Sequence, residues 1–302
     1  MSSSANRSAI ISADDFGLSR EVNAGILKAH REGILTGTSL MVAGAAAEEA
    51  AAIARDTPTL DVGLHLVVCH GSSTLDPTKL VGITNASGDF SYSPVTAGMR
   101  YYFNRKIHSA LRDEMRAQIE RHLQLVGYLN HIDGHLNFHV HPVVADILIE
   151  LIREYRVPCV RLPRESVFST LALAHDNAAR KLVENVIFRA LSRRTRKMLD
   201  AAGVRSTNWL FGLHQSGHLS EAYVAGLIPR LQPGITEIYF HPAMDIGGTP
   251  PSAEAQLEVA ILTDPHLRTA FDEAGVQLIN FANLASSPHT GAPLPFRKGV
   301  GG

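Results

Sequence analysis

The sequence predicts an α/β protein built as an irregular (β/α) TIM-like barrel, with parallel strands and helical crossovers. Three observations carry this. Short apolar stretches alternate with amphipathic helical stretches about eight times, the pattern of a parallel sheet. Asp14, His65, His135, Arg161, His214 and His241 each fall at or just past the C-terminal end of an expected strand. In a barrel those ends share one rim. The length, 302 residues with 45% hydrophobic content, suffices for one large core. A doubly wound open sheet is the competing arrangement, and the strand count and shared rim favour the barrel. No internal repeat is visible.

The elements follow in order. Ser8–Ala13 is a short buried strand that stops at Asp14-Asp15-Phe16-Gly17. Ser19 caps a helix to about Arg31, with Val22, Ile26 and Leu27 on one face and Gly33 as the stop. A strand over Thr38–Val42 leads into the alanine-rich helix Ala46–Arg55. Asp61–Val68 is a strand carrying His65 among aliphatics. Residues 69–104 read as an irregular insertion, a length usually reserved for functional loops. A helix over Lys106–Val126 has Leu111, Met115, Ile119 and Leu123 as its stripe. Residues 129–135 are extended, and Pro142 opens a helix to Tyr155. Val157–Leu162 is a strand, and 165–200 is a mostly helical second insertion. Strands over Ser206–Phe211, Thr236–Phe240 and Val276–Phe281 alternate with helices over 220–231, 252–263 and 265–274. The barrel domain is expected to span 1–285, and the Pro/Gly-rich stretch 286–302 reads as a disordered tail.

Composition narrows the function classes. A net charge of −1 gives no global attraction to nucleic acid. Two cysteines, Cys69 and Cys159, form no spaced motif and fit a reducing, cytoplasmic compartment. The N-terminus lacks a signal peptide's long apolar region, and no apolar run reaches the ~18–20 residues of a membrane span. Histidine, at 15 residues, is over-supplied.

Four histidines and an aspartate fall within residues 131–141. Alternate residues of a strand share a face, so an extended 129–135 points His131, Asp133 and His135 one way. Asp14 and Asp15 are adjacent at a strand end and project differently, so one can bind a metal while the other stays free. A helix N-terminal acidic pair is the bland alternative. His65 alone would read as a core histidine, although Gly63 beside it permits a close approach. Together Asp15, His65 and His135 form a three-ligand site with open positions for water and substrate. Such ligands suit one divalent ion, zinc foremost, with iron, nickel, cobalt or magnesium open. Asp14 is then the natural base and His241 the natural acid. Arg161 pairs with Asp14 or sits in a surface ion pair. Asp133, His131 and His139 are candidates to orient the ligands from behind.

Taken together, Ser-Ala-Asp-Asp-Phe-Gly (12–17), Val-Gly-Leu-His-Leu (62–66), His-Ile-Asp-Gly-His-Leu-Asn-Phe-His (131–139) and Phe-His-Pro-Ala (240–243) resemble the YdjC-like carbohydrate deacetylases. The resemblance covers about residues 8–281 and implies an irregular barrel and metal-dependent removal of a sugar N-acetyl group. It assigns metal binding to Asp15, His65 and His135, the base role to Asp14 and the acid role to His241. One departure is Asn137, where relatives carry another histidine. Residues 30–44 and 98–103 look like the hopanoid-biosynthesis branch of the family, which implies an N-acetylglucosaminyl hopanoid as substrate. A deacetylase of chitooligosaccharides or other soluble sugars is the alternative within enzymes, and a non-catalytic metal- or sugar-binding barrel the alternative outside them. Residues 180–199 pattern as a basic amphipathic helix. It either covers the barrel with a solvated basic face or contacts the inner membrane surface peripherally.

Overall fold

Strand β1 (Arg7–Phe16) is the centre of the sheet, and the residues that follow Arg7 say why. Ser8–Ala13 carries no charge and is buried along its length, as a parallel strand between helices must be. The computed structural model describes residues 7–286. After β1 come α1 (Arg20–Glu32), β2 (Gly37–Leu40), α2 (Ala47–Asp56), β3 (Asp61–Leu66), α3 (Pro94–Phe103), α4 (His108–Val126), β4 (His131–Gly134), α5 (Pro142–Tyr155), β5 (Cys159–Val160), α6 (Val167–Leu171), α7 (Ala178–Ala202), β6 (Trp209–Phe211), α8 (Glu221–Leu227), β7 (Gly234–Phe240), α9 (Ala253–Leu262), α10 (Pro265–Glu273), β8 (Val276–Ile279) and α11 (Phe281–Ser286).

The strands pair in parallel in the order β5-β4-β3-β2-β1-β7-β6. The ring is drawn shut between its end strands. Val160 N–H donates to the Arg205 carbonyl at 2.9 Å, and Leu210 N–H donates to the Arg164 carbonyl at 2.9 Å. Strand β8 is the irregularity. A regular barrel would set it between β7 and β1, yet β7 pairs β1 directly over Arg7–Ala13. β8 instead pairs Arg7–Ile10 on the edge of β1 that β2 takes up from Ser12 onward. The expected irregular barrel is therefore the fold.

Local chemistry explains the element ends. Ser19 Oγ accepts from Val22 N–H to start α1, and Asp264 caps α10 with Pro265 in its first turn. Helix α1 ends at Gly33, where only glycine fits because a Cβ would lie 2.0 Å from the Leu262 carbonyl oxygen. The insertion at 69–104 is more ordered than the sequence suggests. Ser93 Oγ caps α3 and Pro94 opens it, signals overshadowed by the Gly, Pro and Ser around them. Strand β5 is only Cys159–Val160, and Pro158 before it has no N–H to donate. The helix expected over 220–231 gives way to a 3-10 turn at Ile228–Arg230, where Pro229 intervenes. Strand β8 stops at Ile279 because Phe281 opens α11. Ser286 ends that helix, and the rest of the expected tail lies outside the described residues.

The N-terminal end of the ring is plugged. Phe281 stacks on the His131 ring, with centroids 3.8 Å apart, and packs with Ile10, Cys159 and Leu284. Gly63 makes room for that ring, since a Cβ there would approach it to 2.3 Å. The C-terminal end stays open to loops, which leaves the chemistry-bearing residues at that rim. No helix among the described residues is long and apolar enough to cross a membrane.

Candidate metal centre

The register of β1 slips between Ala13 and Phe16, and Asp15 takes a left-handed φ of 66°. That kink splits the two adjacent carboxylates. Asp14 turns into the barrel and Asp15 turns toward β3 and the segment after β4. The chain bends again after β4. Gly134 is extended, His135 opens a 3-10 turn, and Leu136 and Asn137 hold φ values of 54° and 53°. The bend carries His135 out of strand geometry and over the rim.

Three donor atoms converge there. Asp15 Oδ1 lies 3.2 Å from His65 Nε2 and 3.1 Å from His135 Nδ1, and the two ring nitrogens are 3.3 Å apart. An ion about 2.0–2.2 Å from each of three such ligands holds them about 3–3.5 Å from one another. His65 Nδ1 lies 2.7 Å from Asp133 Oδ1 and 3.1 Å from Ser39 Oγ. A carboxylate cannot donate, so Nδ1 carries a proton, and a bound ion would take the Nε2 lone pair once that nitrogen gives up its own proton. The donor set, two imidazoles and a carboxylate, fits a divalent ion.

Electrostatics point the same way. Burial pushes the His65 imidazole down, but the Asp133 and Asp14 charges outweigh it and raise it to about 10. Burial likewise opposes ionisation of Asp15, yet hydrogen bonds with His135 and His65 hold its carboxyl well below the ordinary range. The pocket therefore demands positive charge where the three donors meet. A second convergence, of Asp14, His65 and Asp133, already has its cation in Arg161.

Arg161 is wholly buried just past β5. Its NH1 and NH2 donate to the two Asp14 oxygens at 2.6 and 2.7 Å, a two-pronged clamp. Its NH2 lies 3.0 Å from Asp133, its Nε donates to Glu237 at 3.0 Å, and its plane sits 4.7 Å from the Tyr239 ring centre. His139 holds the arginine's backbone, its Nε2–H donating to the Arg161 carbonyl at 3.0 Å, and burial keeps the ring neutral at about 4. His241 follows β7. Its backbone N–H donates to Glu258, and its ring meets Tyr239 edge-on at 5.5 Å.

The structure brings Asp14, Asp15, His65, Asp133, His135, Arg161, His139 and His241 to one rim. It does not bring His131, which lies at the plugged end against Phe281 with no hydrogen-bond partner among the described residues. His214 sits on the rim but stands 3.5 Å from Glu184, while its backbone N–H donates to Glu165. Sequence reasoning missed Glu237 and Ser12. Ser12 Oγ donates to Glu237 Oε1 at 2.7 Å, and together they brace Arg161 from behind. The available signal was a glutamate at the middle of the apolar strand Ile-Thr-Glu-Ile-Tyr-Phe. Gln118 was missed too. It accepts from Val67 N–H and donates to the Val67 carbonyl, fixing the loop after His65. Beside His135 opens a pocket of about 330 Å³, lined by Leu18, residues 41–45 and Val67 together with the polar His70, Ser72 and Gln118.

A family signature described as YdjC-like protein matches residues 8–273. The chain belongs to the YdjC-like family. A carbohydrate deacetylase of Geobacillus stearothermophilus is 31% identical over 283 residues, 91% of this chain and 97% of that one. A carbohydrate deacetylase of Brevibacillus brevis is 39% identical over 154 residues, 51% of this chain and 58% of its own. The chain therefore spans under two thirds of the Brevibacillus protein and nearly all of the Geobacillus one. A crystal structure from Enterococcus faecalis V583, described as a candidate cellobiose-phosphate cleavage protein, superposes with a TM-score of 0.71 at 25% identity, covering 92% of this chain and 99% of its own.

Proposed function

We propose that this YdjC-like protein is a metal-dependent carbohydrate deacetylase. It hydrolyses the N-acetyl group of an N-acetylglucosaminyl lipid, a hopanoid, to the glucosaminyl form and acetate. The observation that carries the hydrolase reading is the Asp15–His65–His135 triangle of 3.1–3.3 Å with an unligated carboxylate, Asp14, next along the chain. Those three residues would hold one divalent ion, zinc foremost. When bound, the ion polarises the amide carbonyl and acidifies water.

The protein's own residues do the rest. Asp14 takes the proton from the attacking water, and the Arg161 clamp holds and aims its carboxylate. Asp133 fixes the His65 tautomer so that Nε2 stays a ligand. His241 donates a proton to the departing sugar nitrogen as the C–N bond breaks. An apolar aglycone is supported by the motif at 98–103, which forms the outer part of α3 and exposes Met99, Tyr102 and Phe103. The pocket beside His135 is also mainly apolar, with His70, Ser72 and Gln118 on its wall.

The test is acetate release by the zinc-loaded protein from N-acetylglucosaminyl hopanoid and from chitooligosaccharides. Turnover of the lipid in preference to the oligosaccharides supports the reading. Turnover of the oligosaccharides alone makes it a soluble-sugar deacetylase. Metal binding with no turnover of either makes it a binding barrel.

A further inference from the structure

Helix α7 is inverted. Its buried residues are Lys181, Ser192, Thr195 and Leu199, so a lysine faces the protein. Lys181 Nζ donates to the Ala174 carbonyl at 3.1 Å and to Asp176 at 3.0 Å, and Ser192 Oγ donates to the Pro163 carbonyl at 2.7 Å. With that face pinned, the aliphatics point out. Val183, Val186 and Ile187 are 61%, 69% and 52% exposed. Helix α3 repeats the pattern, burying Ala97 and Tyr101 while Val95 and Phe103 stand 76% and 70% exposed. Exposed apolar residues clustered on two elements mark a surface with a partner.

The two helices flank the same segment. Tyr101 of α3 meets the Phe138 ring edge-on at 5.9 Å, and Arg194 of α7 donates to the Pro142 carbonyl at 3.4 Å. That segment begins at His135, and Leu136 next to it in the chain is exposed. Both helices therefore pack against the segment that carries His135.

The charge of the apolar face is mainly positive, and Glu184 among the aliphatics of α7 pairs with Arg180. Past the aliphatic half of α7, a cavity of about 230 Å³ is lined by Arg164, Arg189, Arg193 and Arg196 with Leu162 and Ser192, and by no carboxylate. Arg196 is tied to the Thr207 carbonyl at 2.7 Å, and Arg164 lies 4.3 Å over Trp209. Among the described residues no carboxylate forms an ion pair with Arg189 or Arg193.

We propose that this face docks on an anionic phospholipid surface. The exposed aliphatics of α7 and α3 enter the boundary between headgroups and chains, and the arginine cavity receives a lipid phosphate. Exposed aliphatics with arginines near them along one helix suit an anionic interface. A second copy of the chain would bring four more arginines against these four, which disfavours self-association. The proposal deepens the lipid-linked substrate reading and draws its purpose from it, because it brings the rim to a sugar held at the bilayer.

The test uses the zinc-loaded full chain, sedimented with phosphatidylcholine vesicles with or without phosphatidylglycerol. Wild type is expected to bind the anionic vesicles. V186E/I187E and R189E/R193E should each bind at least about tenfold more weakly, with melting temperature and turnover of a soluble N-acetylated sugar unchanged. Fluorescence of Trp209, the one tryptophan of the chain, should shift on vesicle binding and not in the variants. Absence of binding at low salt, or binding that both variants retain, overturns the proposal. So does a wild-type dimer that V186E/I187E converts to a monomer, or millimolar inorganic phosphate bound in the arginine cavity of a protein that does not bind vesicles. Failure to deacetylate the lipid with vesicle binding intact counts against the substrate reading and leaves the docking standing.

Discussion

Metal affinity should climb with pH well beyond the range of an ordinary histidine. The imidazole of His65 is raised from 6.5 to about 10 by Asp133 and Asp14, against the opposing effect of burial. A metal ion needs the neutral ring, so binding expels that proton. Below about pH 10 each unit of acid then weakens binding about tenfold, about 1.4 kcal/mol. Between about pH 6.5 and 8.5 the gain approaches a hundredfold, where an unperturbed imidazole would add almost nothing. For the metal-free protein the sign reverses. A folded pKa above the unfolded value stabilises fully below about pH 6.5, and that contribution is lost as pH rises toward about 10. Zinc titration by calorimetry in two buffers of different ionisation enthalpy reads both affinity and protons released, about one per ion at neutral pH. Asp133→Asn removes the first of the raising charges, so its affinity should level off at lower pH. A wild-type affinity that is flat above pH 7, with no proton released, would refute the electrostatic account of the site.

Asp14→Asn should keep the ion and lose about 10²–10⁴-fold in acetate release, read as bound metal against kcat; unchanged kcat removes Asp14 as the base. Arg161→Met strips the counter-charge from Asp14 and Asp133 in a wholly buried site and should lower unfolding free energy by about 3–5 kcal/mol in urea melts. Arg161→Lys keeps the charge without the two-pronged clamp, so its loss should show more in kcat than in stability. Gly63→Ala drives a methyl into the His131 ring and should cost about 1–3 kcal/mol of stability while metal stoichiometry holds, because that contact is at the plugged end.

Much of the fold could be read from local signals. Ser19, Pro142 and Asp264 with Pro265 announced their helices, and the apolar stretch before Asp14 announced the central strand. The rim was legible for the same reason: a charged or imidazole group ending an apolar strand stands out. What failed was non-local. Nothing around Val276–Ile279 tells that this strand pairs on the far edge of β1 instead of between β7 and β1. Helix α3 was hidden because its cap and its proline look like the loop residues before them. His131 shares a face with Asp133 as alternation requires, but it sits at the other end of a short strand, and periodicity does not report depth along a barrel axis. Glu237 was invisible because a carboxylate inside a strand is meaningful only once Arg161 is seen opposite it. The aliphatics of α7 were legible as a stripe, but which way the stripe faces is set by Lys181 and Ser192, whose anchoring appears only in three dimensions.

Anomalous diffraction at the zinc edge from zinc-loaded crystals tests the central claim most directly. The account requires one strong peak about 2.0–2.2 Å from Asp15 Oδ1, His65 Nε2 and His135 Nδ1 together. A peak elsewhere on the chain, or an ion that leaves any of those three atoms beyond bonding reach, would contradict it.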